Sequence, residues 1–460
     1  MTLENGKAMN ILLISPCIAP DEETPKELMI PQLALHILEG LTPADHTVKI
    51  VEEELERVNL DEAWDLVGIS CLTSNAPRGY HLAAEFRKRG ALVVLGGVHP
   101  TLLPDEAARF ADAVVIGEAE SVWESVVADA ARGQLKRFYQ QKPDLERYIP
   151  KRYVHTGKKT LFNAIPVMTT RGCPYACEFC CVSRIYGKTI RHVPVDNVVR
   201  DIEESGGKIY IFLDDNIIAK TRYAKSLFRA IKPLKIRWVG QASISFVHDA
   251  ELMRLARDSG CAGLFFGLES VSETQLRRMK KSIKEVAAIE EAIRKIKGMG
   301  IHFHASLVFG FDNDTQRTFP ETLDFLQRNK IGTASFNILT PYPGTPIHER
   351  FLREGRLLST DWKHYDHSTV VFEPKNMTPY ELQAGTMWIK KRFTTVPSIL
   401  RRLPGNLHHP LLYLAMNWGL RSTVKSDPER LAGLQAGLFG SRQPVPAQAL
   451  PNAAEAAVDS

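Results

Sequence analysis

Short runs of Val, Ile and Leu recur in the first third of the chain, at Asn10–Ser15, Thr47–Val51, Leu66–Ser70, Leu92–Gly96 and Ala113–Ile116. Each is apolar almost throughout rather than alternating, the pattern of strands covered on both faces. Between them, Tyr80–Lys88 and Ala119–Ala131 carry apolar residues at helical spacing. Strands alternating with helices predict a parallel, doubly wound α/β sheet of Rossmann-like layout over residues 1–135. Ligands on such sheets bind outside the carboxyl ends of the strands.

The pattern lapses in a polar, Lys-rich passage from Arg132 to Lys159, and residues 136–165 read as a linker. A second βα series then begins, with strands predicted at Pro166–Thr170, Lys208–Leu213, Arg237–Gln241, Gly263–Gly267, His302–Phe309 and Ala334–Leu339. Six such units predict a partial, TIM-type (β/α)6 barrel over residues 166–365, with its chemistry at the carboxyl ends of the strands. Residues 366–440 read as helical and basic. No Asp or Glu occurs from Leu382 to Ser426, while Lys390, Lys391, Arg392, Arg401, Arg402, Arg421 and Lys425 do. Residues 441–460, rich in Pro, Ala and Gln, read as a disordered tail.

Bulk composition adds little. The chain has 460 residues, more than one core normally covers. A net charge of +5 is only mildly basic and does not call for nucleic acid. No apolar run approaches the roughly 20 residues of a membrane span, and Ile11–Ile14 is too short for a signal peptide. The cysteines change the picture. Cys173, Cys177, Cys180 and Cys181 fall within nine residues, with Cys17, Cys71 and Cys261 scattered elsewhere. In a chain expected to be cytoplasmic and reducing, clustered thiols indicate metal or redox work.

Cys173-Pro-Tyr-Ala-Cys177-Glu-Phe-Cys180 follows the first predicted barrel strand. Three thiolates so spaced fit one iron–sulfur cube, each on a different iron, leaving the fourth iron open. A structural zinc site is the alternative, but zinc wants four ligands, and adjacent Cys181 reads as packing rather than as the fourth. The three-then-two spacing, with Phe179 before the last cysteine, resembles the signature of the radical S-adenosylmethionine (SAM) superfamily. The resemblance implies a 4Fe–4S cluster that reduces SAM to a 5′-deoxyadenosyl radical, with Phe179 beside the adenine. It extends to Asp214 and Asp215 after the second strand, Gln241 and Ser243 after the third and Glu269 after the fourth, as SAM-binding positions. Helix capping is the alternative for the two aspartates, and a solvated loop residue for Glu269. The turns Phe309–Asp312 and Thr340–Pro346 are expected to line the site or merely to shape the chain. His302 and His304 read as core or site-supporting histidines.

Leu95-Gly96-Gly97-Val98-His99-Pro100-Thr101 and Ile116-Gly117-Glu118-Ala119-Glu120 resemble the cobalamin-binding domain fused ahead of many radical enzymes. The resemblance implies a corrinoid near Ser70, Thr73, Ser74, Gly96, Gly97, Gly117 and Glu118, the alternative being ordinary strand-to-helix turns. The Asp-x-His-x-x-Gly motif that offers cobalt a histidine is absent, so His99 is not expected to be a ligand. The closest family resemblance is to hopanoid methylase-type enzymes. It implies methylation of an unactivated carbon, with cyclisation, rearrangement or carbon–carbon coupling, or a sensor without catalysis, as alternatives. A tRNA methylthiotransferase would need a further cluster domain and a small RNA-binding barrel, which the chain does not display. The expected partners are a small-molecule or lipid-like substrate and an electron donor such as flavodoxin or ferredoxin. The basic C-terminal region is expected to cap the barrel mouth or to contact a membrane peripherally.

Overall fold

The computed structural model describes residues 8–20, 32–146, 164–278, 285–422, 424 and 427–440. The proposed tail at 441–460 and much of the proposed linker lie outside them. The first sheet comprises β1 (Asn10–Ser15), β2 (Thr47–Glu52), β3 (Leu66–Ser70), β4 (Leu92–Gly96), β5 (Ala113–Val115) and β6 (Phe138–Tyr139). All six run parallel, in the order β2-β1-β3-β4-β5-β6. Leu12 and Ile14 enter one hydrophobic cluster and Ile11 and Leu13 another. That division explains why the strand is apolar at every position: helices cover both faces. The sheet reaches past the boundary expected at residue 135, because Phe138–Tyr139 pairs with β5. Two residues are too few to show a strand period, so the sequence reads as linker there.

The second half contains β7 (Ile165–Val167), β8 (Thr170–Arg171), β9 (Arg191–His192), β10 (Ile209–Phe212), β11 (Arg237–Ala242), β12 (Cys261–Glu269), β13 (His302–Phe309) and β14 (Thr333–Ile338). Six of them form an open parallel sheet in the order β14-β13-β12-β11-β10-β7, the expected partial barrel. β8 and β9 form a separate antiparallel ribbon. The helix-facing residues of β12 and β13 (Leu264, Phe266, Phe303, Ala305, Leu307) are buried in one large core. Phe265, Gly267, His302, Ser306 and Val308 alternate with them and are half-buried.

The first C-terminal helices pack on the flank of the barrel, while Arg430 of the last, Asp427–Ala436, bonds to Asp366 and Thr369. Pro379–Phe393 packs on β14 and on the helix Thr318–Arg328, and its Leu382, Ile389 and Phe393 join the barrel core. The region closes the outer flank of an edge strand. Arg402 is likewise no surface charge: it is fully buried. Its guanidinium donates to the carbonyls of Ile331, Gly332, Phe393 and Ser398 and to Asn417 Oδ1, and lies 3.6 Å from the Phe393 ring centroid. Five acceptors on one fork tie the helices to the start of β14.

His304 Nδ1 and Nε2 lie 2.8 and 2.7 Å from the hydroxyls of Thr333 and Ser335, and its ring packs on Phe265. Burial, then neighbouring His302, pushes its pKa down to about 3. The folded state therefore binds this proton more weakly than the unfolded chain does, and stability is lost as pH falls below the ordinary value of 6.5.

Two predictions follow from these buried groups. Arg402→Leu orphans several buried carbonyls and should destabilise the protein by about 3 kcal/mol, read as an earlier chemical-denaturation midpoint. A midpoint unchanged from wild type would refute the anchoring role. The stability advantage of wild type over His304→Gln should shrink by about 1.4 kcal/mol per pH unit below the histidine range. A difference independent of pH would show that His304 is not held neutral.

Candidate active site

The cysteine loop leaves β8 through Gly172, whose φ is +94°. A Cβ there would sit 2.6 Å from the Thr189 carbonyl oxygen, so the chain passes too close for any side chain. Cys173, Cys177, Cys180 and Cys181 are all half-buried, and none is in a disulfide. The backbone N–H of Cys180 donates to the Cys177 carbonyl at 3.1 Å, a tight turn that carries these two thiols. Burial pushes the Cys180 thiol up to about 12, with Cys181, Cys177 and Asp215 adding to the rise. The thiol is thus neutral before metal arrives, and iron binding must displace its proton. Among the described residues no three such groups converge as they would on a single metal ion, and of the three thiols only that of Cys177 lines the neighbouring cavity. The chemistry of the donor set, three thiols on one short loop, is that of a cube bound through three different irons. Cys181 instead starts the short helix Val182–Ile185, its carbonyl accepting from Arg184 N.

The loop is anchored from the last strand. The helix Pro346–Arg353 begins in the Thr340–Pro346 turn, where Thr345 caps it, and Ile347 N donates to the Glu178 carbonyl. Arg350 reaches both Asp312 (2.9 Å) and Glu178 (3.3 Å). Phe179 meets Phe311 edge-on, with ring centroids 5.9 Å apart. Beside this pair lies a cavity of about 400 Å³, lined by Cys177, Phe179, Gln275, Phe311, Leu339 and Arg350 among others. The Phe309–Asp312 turn lines this cavity through Phe311 and Asp312. Gly310, at φ +108°, is required by packing: a Cβ would meet Phe372 at 2.8 Å.

The SAM-binding positions expected from the sequence divide in their employment. Asp214 is fully buried, and its carboxylate accepts from the backbone N–H and the hydroxyl of both Thr169 and Thr170. Those bonds consume its oxygens in holding the strand that launches the cysteine loop, so Asp214 supports the site without facing it. Asp215 lies on the other side. Burial, then Asp214, pushes its pKa up to about 7, and its field reaches Cys180, Cys181 and Tyr186. Ser243 N donates to the side chain of buried Asn216, and Ile217 N donates to the Gln241 carbonyl, so the second and third strand ends are laced together. Gln241 itself is exposed. Glu269 ends β12 at a bulge with φ +60°, a left-handed conformation that costs a non-glycine residue about 1–3 kcal/mol.

A second cavity, of about 280 Å³, opens at the carboxyl ends of the first sheet. Ser70, Gly96, Gly97, Gly117 and Glu118 line it; Thr73 and Ser74 are not among its lining residues. Thr73 is nonetheless buried, with a hydroxyl that has no hydrogen-bond partner among the described residues. Gly117, at φ +84°, has no atom within 4 Å of where a Cβ would stand, leaving the wall open at that point. Gly97 has a different reason: a Cβ would sit 2.7 Å from the Cys71 carbonyl. Leu33, Ile37 and Val98 make the wall largely apolar, and Leu72, 52% exposed, also lines it. An open apolar cradle with a few polar edges suits a corrinoid face. His99 is fully buried, its Nε2 3.1 Å from Glu106, which also accepts from Tyr80 and Trp362. His99 is not among the residues that line the cavity.

The far wall of this cavity belongs to the other domain: Met168, Arg171, Ile185 and Tyr186, which flank the cysteine loop, and Leu213, which follows β10. Glu118 accepts from Arg171 and Arg191, and Glu120 accepts from Arg171. Single residues such as Arg171 and Arg191 carry no periodic or motif signal, so nothing in the sequence marks either as part of the site.

Comparison with known proteins agrees with this geometry. Residues 167–326 match the radical SAM superfamily and residues 35–127 the B12 binding domain. The chain is 31% identical to the bacteriochlorophyllide d C-8(2)-methyltransferase of Chlorobaculum tepidum over 452 residues, covering 91% of this chain and all of that protein. It is 26% identical to the hopanoid C-2 methylase of Rhodopseudomonas palustris, over 72% of this chain and 66% of that one. The radical SAM methyltransferase TsrM of Kitasatospora setae, solved with tryptophan and a SAM analogue, superposes with a TM-score of 0.68. At 16% identity, over 93% of this chain and 99% of that one, that likeness is one of fold. The cofactors are accordingly a 4Fe–4S cluster, SAM and cobalamin. With two matched domains and a relative aligned along its whole length, the chain belongs to the cobalamin-dependent radical S-adenosylmethionine methyltransferases.

Proposed function

We propose that this protein methylates an unactivated carbon of a lipophilic ring compound, with a chlorin-type tetrapyrrole as the first candidate. The observation that carries the reading is the shared cavity: its near wall is the first sheet and its far wall flanks the cysteine loop. The likeness to a bacteriochlorophyllide methyltransferase supports the substrate class. When bound, the cluster supplies the electron that cleaves SAM, and cobalamin carries the methyl group.

The chain's own residues hold and orient these groups. Cys173, Cys177 and Cys180 ligate the cluster. Phe179 and Phe311 flank the adenine end of SAM, while Asp215, Gln241, Ser243 and Glu269 face its ribose and methionine. Ser70, Gly96, Gly97 and Gly117 form the corrinoid's bed, and the apolar walls keep water from reactive species. A small reductase protein such as flavodoxin or ferredoxin delivers the electron.

Anaerobically reconstituted protein with dithionite should form 5′-deoxyadenosine and methylate a chlorin, while Cys180→Ala should lose cluster absorbance and both products. Absence of 5′-deoxyadenosine from the wild type would sink the radical reading. Its formation without a methylated chlorin would move the substrate to another ring system.

A peripheral membrane partner is favoured by a separate observation. On the helix Pro410–Ser422, Tyr413 and Asn417 are buried, while Leu411, Leu414, Ala415 and Trp418 form an outward stripe. Leu411 is 81% and Trp418 68% exposed. Exposed Lys391, Arg392, Arg401 and Arg421 lie in the same acid-free stretch, a basic rim of the kind that anionic lipid attracts. No helix among the described residues is long and apolar enough to cross a membrane, so the contact would lie on the surface. The protein should float with anionic but not zwitterionic vesicles. Arg401→Glu with Arg421→Glu should weaken partitioning by about 1 kcal/mol per basic residue removed. Failure to float excludes the membrane, and dimerisation lost in Trp418→Ser would assign the stripe to a second copy.

A further inference from the structure

The two arginines of the β8–β9 ribbon stand directly opposite each other: Arg171 is the register partner of Arg191. Like charges facing across a strand pair destabilise it, and these two are largely buried, at 9% and 17% side-chain exposure. The ribbon does not resolve that conflict itself. Glu118 does, from the other domain, with one carboxylate oxygen on Arg171 and the other on Arg191, while Glu120 takes the second arm of Arg171. Glu118 and Glu120 are 6% and 9% exposed. The quartet is neutral overall, two cations against two anions.

Buried ion pairs of this kind contribute little net stability, since desolvation offsets their attraction, but they fix orientation. What they orient here is specific. Arg171 is followed by Gly172 and Cys173, the start of the cluster loop. Glu118 is preceded by Gly117, whose N–H donates to Thr101 Oγ1, and that hydroxyl donates to the Gly97 carbonyl. A continuous bonded path therefore runs from the bed of the corrinoid cavity to the first cluster ligand. Arg171 also lines the cavity itself.

We propose that Arg171, Arg191, Glu118 and Glu120 form a positioning clamp that sets the separation between cobalamin and the iron–sulfur cluster. The clamp touches no reacting atom. It registers the glycine loop against the cysteine loop. The inference rests on the reading of the cavity as the corrinoid site and is independent of the substrate.

The test uses full-length protein loaded with cluster and cobalamin. Each cofactor has a one-electron state with an unpaired spin, so pulsed electron paramagnetic resonance reads their separation without turnover. Wild type should give one narrow distance distribution. Arg171→Met should retain iron and corrinoid yet broaden or shift that distribution, and should lower methyl transfer by about 100-fold, the scale of a 1 Å misplacement. Formation of 5′-deoxyadenosine, which needs only the cluster side, should fall far less. Arg171→Lys, which keeps the charge but not the fork, should recover part of the narrow distribution. Should Arg171→Met prove insoluble, Glu118→Gln with Glu120→Gln removes the anionic side isosterically and must give the same broadening. An unchanged distribution in either variant overturns the clamp. Wild type that gives a narrow distribution but methylates no substrate would instead count against the proposed reaction and leave the clamp standing.

Discussion

Everything in this molecule depends on two parallel sheets presenting their carboxyl ends to the same space. A parallel sheet places its strand-to-helix turns, with their small residues and exposed backbone, along one edge. Here β3, β4 and β5 on one side and β7 and β10 on the other bring such edges around one cavity. Domains of ordinary polarity would slide or hinge at such a junction. The buried carboxylates of Glu118 and Glu120 on two arginines, and the hydrogen bond from Trp362 Nε1 to Glu106, give the contact directional bonds that fix its register.

The cysteine loop illustrates how much scaffolding a short motif requires. Its base is held by Asp214 through four hydrogen bonds to Thr169 and Thr170. Its middle is held by Ile347 and Arg350 from the far end of the barrel, and its exit by the helix that begins after Cys181. Two elements distant in sequence, and the helix next along the chain, thus position thiols that span only eight residues. A loop carrying three ligands for one cluster needs this support, because misplacing one ligand leaves an iron incompletely bound.

Asp214 and Asp215 show why adjacent residues with one chemistry take different roles. The side chain of Asp214 enters the protein and becomes a backbone anchor, while that of Asp215 is near enough for its charge to act on Cys180 and Cys181. In sequence they are equivalent acids after a strand, and only the direction of each side chain separates them. Glu118 was legible as a residue of the glycine loop, but its partners lie some 50 to 70 positions away. Arg402 reads as one more basic residue in a basic stretch, yet it is a fully buried anchor. A charge's neighbours, not its identity, decide whether it is solvated or structural.

The sequence by itself determined the two βα series, the strand positions to within a few residues, the three cysteines and the glycine loops. These are local properties: apolar period, thiol spacing and backbone freedom are written within a dozen neighbouring residues. The tertiary structure decided the extra strand at Phe138–Tyr139, the flank position of the C-terminal helices, the employment of Asp214 and the ion quartet between domains. Each of these depends on which distant surfaces meet, and pairing across long separations leaves no periodic trace in a single chain.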